Sequence, residues 1–452
     1  MRKREIFLPS RSGVLLPQSP TPLTLSVREV RILLVSEDIP QPQLGGLGKH
    51  VLALGRELHS RGHEVDVLGN AVHPIAGLRD QAGPGRFIAA IRGHRKLYKE
   101  QQLGAFLPWR PVLNARPVRD AILQHAAGYD VVHYHGHMPW LAADLPPSMP
   151  FIQSRHDQGG DCMLNTRFAR PPPADLAPCR ALDAAACAGC ASAQPGPLRR
   201  AVSAAAVRAV RRRTAAAYDV HPVIFVSDFL RKGFARVAGG VQRGEVVHNG
   251  VDVAALAAVA AAPALPREAQ VEVFAAGALT PYKGFAALLE ALHRWPLRPG
   301  VRLTIAGDGP DMPKLRALAK NLPVRLLGWI DHAQVLRMTR SADIFVVPSL
   351  WEEPFGLTTL EALALGQTVL ALRQGGTPEL SAYAGPGGAR LKLFDSLPEL
   401  VAALHRGDAL PAAEPAEESL RAFGGSISAM TDALEVHYRR LQARTGAAEG
   451  RS

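Results

Sequence analysis

Short, largely apolar runs alternate with amphipathic segments along most of the chain. Runs of four to six residues occur at 30–35 and 65–68 in the first half, and at 344–347 and 368–372 in the second. Such runs are typical of strands that are buried on both faces. The segment KHVLALGRELHSRGH, which separates the first two runs, carries apolar residues at helical spacing. This order of strand, helix and strand predicts βαβ units and an α/β fold with parallel sheets.

The length of the chain predicts more than one domain. A chain of 452 residues is too long for one ordinary hydrophobic core, so two or three domains are expected. We predict a disordered tail over residues 1–27, an N-terminal Rossmann-like domain over 28–220 with a cysteine-rich insertion at 158–195, a second Rossmann-like domain over 221–412, and a C-terminal helix and tail over 413–452.

Composition and charge narrow the classes of function. Hydrophobic residues make up 47% of the chain and charged residues 20%, and the formal net charge is +12. This charge suits an anionic substrate or an anionic membrane surface, whereas no basic–aromatic motif supports nucleic-acid binding. The sequence has no membrane-spanning apolar run and no secretory signal, and it has four cysteines. These features predict a cytoplasmic protein in a reducing environment.

A basic stretch at 86–119 raises the question of a membrane surface. It contains several arginines and lysines together with aromatic residues, and residues 88–107 have the spacing of an amphipathic helix. One interpretation is peripheral contact with an anionic membrane at its inner face. The other is a helix that packs on the first sheet and exposes its basic side to water.

Two carboxylates follow the apolar run at 344–347. Glu353 lies in an irregular loop, and Glu361 lies in a predicted helix that Thr358 or Thr359 would cap and Gly366 would end. A helix N-terminus beyond a parallel strand is suited to an anion such as a diphosphate. Carboxylates beside it would accept hydrogen bonds from sugar or ribose hydroxyls. Taken singly, Glu353 is better explained as a solvated loop residue and Glu361 as a favourable acid in the first turn of a helix.

The whole string E-P-F-G-L-T-T-L-E, followed by G-G-T-P-E, resembles the signature of the retaining glycosyltransferases of family 4, also called group 1. The resemblance implies the GT-B fold, in which two Rossmann-like doubly wound domains face a cleft and a C-terminal helix crosses back to the first domain. It implies a nucleoside diphosphate sugar donor, with Glu353 on the sugar and Glu361 on the ribose. Backbone groups would hold the sugar and the β-phosphate at Phe355, Gly356, Leu357 and Thr358.

The same resemblance extends to the first domain. The string G-G-L-G before the first predicted helix lacks the G-x-G-x-x-G dinucleotide pattern, which argues against an NAD enzyme. The family uses these glycines for close approach of the donor, a role that we carry to Gly46 and Gly48. His156 in FIQSRHD matches a family histidine that approaches the donor sugar and phosphates. His50 opens the predicted helix and faces either the cleft or the surface.

A departure from the family pattern concerns the cations of the diphosphate site. In GALTPYKGF, Lys283 matches a family lysine that binds the diphosphate, but Ala278 stands where the family has an arginine. Loss of that arginine would remove a charge-assisted pair. Arg155 and Arg373 are candidates to replace it. Trp329 and Ile330 are candidates to contact the base.

Two clusters suggest metal ions. Cys162, Cys179, Cys187 and Cys190 have the ligand count of a structural zinc site, although the first gap is long for one. The alternative is four incidental or buried thiols. His133, His135 and His137 alternate along a predicted strand, share one side and could bind a metal. No cofactor is expected to be required for catalysis.

These observations predict a glycosyltransferase that moves a sugar with retention to a glycan, lipid-linked or small-molecule hydroxyl. Three alternatives remain: a glycoside phosphorylase or synthase of the same fold, a non-catalytic nucleotide-sugar binder, and a sugar-nucleotide epimerase.

Overall fold

The computed structural model describes residues 29–92, 110–168, 178–191, 196–240, 242–406 and 413–449. Within them the strands form two sheets, and every strand pair in both sheets is parallel. Helices connect successive strands, as parallel pairing requires. The predicted α/β class with two parallel sheets is confirmed. The predicted disordered tail lies outside the described residues.

The first sheet has seven strands in the order β3-β2-β1-β4-β5-β6-β7. Its central strands are buried on both faces, and in β1 every residue after Arg31 is fully buried. Chain order reverses between β1 and β4, which is where open α/β sheets bind ligands. The strands are Arg31–Val35 (β1), Glu64–Asn70 (β2), Phe87–Ile91 (β3), Val131–His135 (β4), Phe151–Arg155 (β5), Val223–Phe225 (β6) and Glu245–Val246 (β7).

The second sheet has six strands in the order β10-β9-β8-β11-β12-β13. The chain order reverses here between β8 and β11, so this domain also has a ligand crevice at the carboxyl ends of its strands. The runs predicted at 344–347 and 368–372 are confirmed as its strands β11 and β12. The strands are Val271–Ala276 (β8), Val301–Ala306 (β9), Val324–Gly328 (β10), Ile344–Val347 (β11), Thr368–Leu372 (β12) and Leu391–Phe394 (β13).

The described α-helices pack on both faces of these sheets. They are Gly46–Ser60 (α1), Arg110–His125 (α2), Ala184–Ala191 (α3), Pro197–Val220 (α4), Asp228–Val237 (α5), Val253–Ala261 (α6), Phe285–Leu292 (α7), Met312–Leu318 (α8), His332–Ser341 (α9), Leu357–Ala364 (α10), Leu397–Arg406 (α11), Ala416–Arg421 (α12) and Ile427–Glu449 (α13). Among these helices, none is both long and apolar enough to cross a membrane.

The helix predicted over residues 88–107 is wrong at its start. Residues Phe87–Ile91 form strand β3, which pairs in parallel with β2. A short apolar run does not by itself distinguish a helix from a strand, and here pairing with the edge of the sheet decides. Residues 93–109, which carry most of the basic stretch, lie outside the described residues, so the membrane contact stays a prediction.

The first sheet extends further along the chain than the boundary drawn at residue 220. Strand β6 pairs with β5, and strand β7 pairs with β6. Residues up to Val246 therefore belong to the first sheet. Helix α6, which follows β7, packs against helices α9, α10 and α12 of the second domain. The sequence places both strands after a long helix, and only their pairing assigns them to a sheet.

The C-terminal helix α13 crosses back to the first domain, as the resemblance implies. Its apolar residues join the core under α1 and β1, and Tyr438 is among the largest fully buried side chains. At the rim, the guanidinium of Arg61, the residue after α1, donates to Asp432 at 2.6 Å and to Glu435 at 3.2 Å. The helix therefore ties the end of the chain to the first sheet.

Candidate active site

The loop after β11 and helix α10 form the centre of the second domain's crevice. The helix begins at Leu357, and its N-cap is Gly356 with φ at 99°. That backbone region is strained for residues with a side chain, so the glycine sets the sharp turn. The predicted cap at Thr358 or Thr359 is wrong because the helix starts one residue earlier. The predicted end is confirmed, since Gly366 follows the helix with φ at 80°.

The predicted pair of ligand-binding residues meets at the mouth of this loop. The ammonium nitrogen of Lys283 lies 2.5 Å from a carboxylate oxygen of Glu353 and 4.6 Å from the ring centroid of Trp351. Gly376 of the G-G-T-P-E string donates its N–H to the carbonyl of Glu353 at 2.7 Å. Lys283 and Glu353 are seventy positions apart in the sequence, and the loops that carry them bring them together in one ion pair.

Glu361 has a partner that sequence reasoning missed. Its carboxylate lies 2.9 Å from Nε2 of His332, the first residue of α9. His332 follows strand β10 and the capping residue Asp331, so it stands at the carboxyl edge of the second sheet. In the sequence, this position after strand β10 was the only sign that His332 could contact Glu361. Trp329, the nearby candidate for base contact, is 61% exposed.

The glycines of G-G-L-G differ in their surroundings. A Cβ on Gly48 would lie 2.4 Å from the side chain of Leu44, which would have to shift to admit a larger residue there. A Cβ on Gly46, the first residue of α1, would meet nothing within 4 Å. Gly46 therefore has open space before it, and its predicted role in letting the donor approach stays a prediction.

Three histidines from distant parts of the chain meet beside α1. Nδ1 of His135 lies 3.0 Å from Nε2 of His156, and the ring centroids of His50 and His156 are 4.9 Å apart. Burial lowers the pKa of His50 to about 4, and it lowers the pKa values of His135 and His156 well below 6.5. All three rings are therefore neutral near pH 7.

The trio expected from strand β4 divides in the structure. His133 and His135 share one side, with ring centroids 3.9 Å apart. His133 is occupied at both nitrogens, by the hydroxyl of Tyr438 at 2.7 Å and that of Ser154 at 2.8 Å. His137 lies beyond the strand and takes part in a different group. Among the described residues, the set spaced for a metal ion is His50, His135 and His156.

His137 lies between two aspartates at the reversal point of the first sheet. Its ring nitrogens lie 2.5 Å from Asp157 and 2.9 Å from Asp38. Burial would lower its pKa, but the two carboxylates outweigh burial and raise the pKa well above 6.5. Glu37, which accepts from the backbone N–H of His137 at 2.8 Å, is buried, and burial raises its pKa. Sequence reasoning missed Glu37 and Asp38, which follow β1 without any recognisable motif.

The neighbouring motifs join the two domains. Glu379 of G-G-T-P-E accepts the N–H groups of Asp228 and Phe229 at 2.9 and 2.8 Å, at the N-terminus of α5. The same carboxylate lies 3.0 Å from Nε2 of His248, in H-N-G-V-D. Ser227 donates its hydroxyl to the carbonyl of Pro354 at 2.5 Å. These strings therefore position the loop after β11 against the first domain.

The cysteine-rich insertion also reaches across the cleft. Arg180 forms an ion pair with Glu352, and the side-chain amide of Gln158 donates to the carbonyl of Glu352 at 3.1 Å. Ring centroids of Phe168 and Tyr282 are 5.8 Å apart. The insertion therefore contacts both loops that carry Lys283 and Glu353.

The four cysteines of the insertion are free thiols. Cys162 is buried, which raises its pKa to about 11, and the pKa of Cys187 is raised by burial as well. No three of their sulfurs belong to a group with metal-ligand spacing within the described residues. The structural zinc stays a prediction.

Neither proposed substitute for the absent arginine is available in the described structure. Arg155 is buried, and it donates to the carboxylate of Asp157 at 2.8 Å and to the carbonyl of Gly159 at 2.7 Å. Arg373 donates to Asp395 at 2.8 Å, on the exposed surface. Ala278 itself is exposed, two residues after the end of β8.

Comparison with known proteins places these features in a family. The family model for Glycosyltransferase Family 4 matches residues 44–255, and that for Glycosyl transferases group 1 matches residues 261–387. Glycogen synthase of Mycobacterium tuberculosis is 30% identical over 372 residues, which cover 77% of this chain and 80% of that protein.

Solved structures share the architecture. Sucrose-phosphate synthase from Thermosynechococcus elongatus has a TM-score of 0.61 at 20% identity and covers 92% of this chain and 100% of its own. HepE of Anabaena in complex with UDP-glucose has a TM-score of 0.53 at 16% identity, covering 94% of this chain and 100% of its own. These similarities confirm the GT-B fold. With the two family models and the mycobacterial relative, they show that the chain belongs to glycosyltransferase family 4 and is a glycosyltransferase.

Proposed function

We propose that this glycosyltransferase moves a hexose-type sugar, with retention, from a nucleoside diphosphate sugar to an acceptor hydroxyl. The observation that carries the proposal is the grouping of Lys283, Glu353 and Glu361 around the N-terminus of helix α10. A cation and a helix N-terminus suit a diphosphate, and the two carboxylates suit sugar and ribose hydroxyls. The UDP-glucose bound to the structurally similar HepE supports this class of donor.

Donor binding would exchange partners within a preformed ion pair. Lys283 neutralises Glu353 in the described structure, with 23% of its own side chain exposed. A diphosphate would attract the ammonium group, and the released carboxylate would accept hydrogen bonds from the sugar. The N–H groups that begin α10 lack intrahelical acceptors and would donate to the β-phosphate. His332 would hold Glu361 in place for the ribose.

The chemical step would depend on stabilising the departing diphosphate. Lys283 and the helix N-terminus lie where negative charge develops, and preorganised groups of this kind supply much of the barrier reduction in enzymes. His156 is neutral, so it would donate a hydrogen bond to the donor rather than a full proton. Gly46 would let the backbone of α1 approach. This set of groups requires no catalytic metal ion.

The acceptor would enter from the first domain. Asp38 and His137 lie at the reversal point of that sheet, where carboxylate and imidazole groups can bind the hydroxyls of a glycan or a lipid-linked sugar. We place the reaction in the cytoplasm, where nucleotide sugars are available. Contact with the inner membrane face would involve the basic stretch.

One observation favours a second candidate, a non-catalytic nucleotide-sugar binder. Ala278 removes a cation from the expected diphosphate site, and in the described part of the chain the two candidate arginines, Arg155 and Arg373, are paired elsewhere. Such a binder would be stabilised by the donor yet neither transfer nor hydrolyse the sugar. A phosphorylase would instead release sugar phosphate from a glycan when inorganic phosphate is added.

The proposal is tested by a thermal-shift and hydrolysis screen of UDP-, GDP- and ADP-sugars. Wild type is compared with Glu361→Gln and with Glu418→Gln, a control on the exposed face of α12. We expect one nucleotide series to raise the melting temperature of wild type and the control but not of Glu361→Gln, with slow hydrolysis of the same donor. Stabilisation without any turnover supports the binder, and no stabilisation by any nucleotide sugar refutes the donor site.

A further inference from the structure

We propose that His50, His135 and His156 form a binding site for a divalent transition-metal ion of the Zn²⁺, Co²⁺ and Ni²⁺ class. The three side chains come from the first turns of α1, the end of β4 and the residue after β5. One ring nitrogen of each lies within 4.8 Å of those of the other two. They lie at the carboxyl edge of the first sheet, on the wall of the cleft.

Two buried nitrogens of this group have no partner in the described structure. They are Nδ1 of His50 and Nε2 of His135. A buried ring nitrogen without a hydrogen bond costs free energy, and native structures rarely leave one unless it binds something. A metal ion bound by either nitrogen would supply the partner that it lacks, and the ring of His135 would have to turn to present Nε2, since its Nδ1 faces His156. This pair of orphaned atoms is the second, independent observation that points to a ligand.

The two histidines that neighbour this group have both nitrogens partnered, although single buried nitrogens without a partner also occur at His63 and His221. Both nitrogens of His133 are hydrogen-bonded, to Tyr438 and Ser154, although its ring stacks on that of His135. Both nitrogens of His137 face carboxylates. The ring of His133 therefore packs against the ring of His135 and limits its orientation.

The donor set selects the class of ion. Three imidazoles suit zinc, cobalt, nickel and copper, whereas magnesium and calcium prefer oxygen ligands. The rings are neutral near pH 7 and therefore have lone pairs available. In a tetrahedral site the nitrogens stand about 3.3 Å apart, so modest side-chain rotations would close the present spacing. Three protein ligands also leave a position for water or substrate, as in catalytic zinc sites.

Occupation of the site would inhibit transfer, and this consequence rests on the proposed function. His156 is the residue that we assign to the donor sugar and phosphates. A metal ion would hold its ring against His50 and His135 and add positive charge beside the donor site. Metal and productive donor binding would therefore compete for the same side chain.

The test is a Co²⁺ titration of the full, tag-free chain, followed by visible absorption, with Zn²⁺ competition measured by calorimetry. Variants are His50→Gln and His135→Gln. His59→Gln is the matched control, because His59 is exposed on the same helix α1. Cys187→Ser controls for binding by the thiols. Circular dichroism establishes that each variant is folded. If His50→Gln is not folded, His50→Asn replaces it.

We expect one Co²⁺ per chain in wild type, His59→Gln and Cys187→Ser. Loss of a ligand in His50→Gln or His135→Gln should weaken binding by more than about 100-fold, since loss of an outer partner alone costs 10–100-fold. Binding that survives both histidine substitutions and is lost in Cys187→Ser overturns the proposal. So does the absence of stoichiometric binding by wild type.

A second arm separates this inference from the proposed function. With the donor found in the nucleotide-sugar screen, we expect Zn²⁺ to lower turnover by wild type and by His59→Gln, with recovery on chelation. In His50→Gln the same Zn²⁺ concentration should have little effect on whatever activity remains. Binding without any donor turnover supports the metal site while refuting the proposed reaction, because the titration itself needs no activity.

Discussion

Two groups of polar side chains on the walls of the cleft are partnered in opposite ways, although His137 on the first domain is also held between two carboxylates. On the second domain, charged groups are paired in advance: Lys283 with Glu353 and Glu361 with His332. On the first domain, the rings of His50 and His135 are buried and neutral, and each leaves a nitrogen without a partner. If the donor binds as proposed, the second domain, which forms the donor wall of the cleft, would exchange one charged partner for another. The histidine group of the first domain would offer neutral donors and lone pairs.

Removing the cation of the donor wall should have the largest effect. Lys283→Ala is expected to lower kcat/KM by about 100-fold or more, because a preorganised charge on the leaving group is lost in the transition state. Lys314→Ala, at an exposed ion pair with Glu290 in the same domain, is the control and should change little. Steady-state kinetics with the identified donor measures both. Equal activity of the two variants would contradict the role of Lys283.

Acidification should reveal the neutral histidine group. Burial lowers the pKa of His50 from 6.5 to about 4, so between these values the unfolded chain binds a proton that the folded chain does not. The free energy of unfolding should therefore fall as the pH falls from about 6.5 toward 4. His50 alone accounts for ~2 kcal/mol at pH 5. Urea unfolding at pH 7.5 and pH 5 should show a shallower loss in His50→Gln than in wild type or His59→Gln.

His137 should behave in the opposite sense. Its pKa is raised in the folded chain, so its contribution to the free energy of unfolding is present below 6.5 and is lost as the pH rises through the raised value.

A His50→Gln variant with the same loss of stability on acidification as wild type would show that the ring of His50 is not buried and neutral.

Restoring the absent cation should strengthen the donor wall. Ala278 is exposed, so Ala278→Arg can place a guanidinium beside the diphosphate. A charge-assisted hydrogen bond should lower the Kd of the nucleoside diphosphate by about tenfold. Calorimetry measures this Kd, with Ala278→Gln as the uncharged control of similar length. A gain that is equal for both variants would show that charge is not the missing element.

The smallest effect should come from the partner of Glu361. His332→Gln keeps a hydrogen-bond donor but shortens its reach, and we expect about a threefold rise in the Kd of the nucleoside diphosphate. His293→Gln, on the far side of the same domain, is the control; His293 contacts the carbonyl of Leu318. No change in His332→Gln would leave Glu361 as an independent ligand.

The strands of the second domain could be predicted because their signal is local. The runs Ile344–Val347 and Thr368–Leu372 are apolar apart from Thr368, and such runs are typical of buried strands. Gly366 ends α10 because its backbone adopts a positive φ, which glycine adopts readily. Strand β3 could not be predicted in this way, because Phe87–Ile91 becomes a strand only by pairing with the edge of the sheet.

The site was partly predictable for a related reason. A recognisable string carries Glu353 and Glu361, and their positions follow from the loop and helix that contain them. The partners are set by tertiary contacts that no local pattern records. Glu379 caps a helix 150 positions earlier in the chain, and His50 meets residues from two other strands. His332 and Asp38 likewise lie at sheet edges whose facing residues the sequence does not reveal.

The central claim is that Glu353 binds the sugar of the donor and Glu361 binds its ribose. It is tested most directly by calorimetric Kd values of the nucleoside diphosphate and its sugar-bearing form for wild type, Glu353→Gln and Glu361→Gln. We predict that Glu361→Gln weakens both ligands, whereas Glu353→Gln weakens only the sugar-bearing one. Equal weakening of both ligands by Glu353→Gln, or no change in either variant, would contradict this assignment.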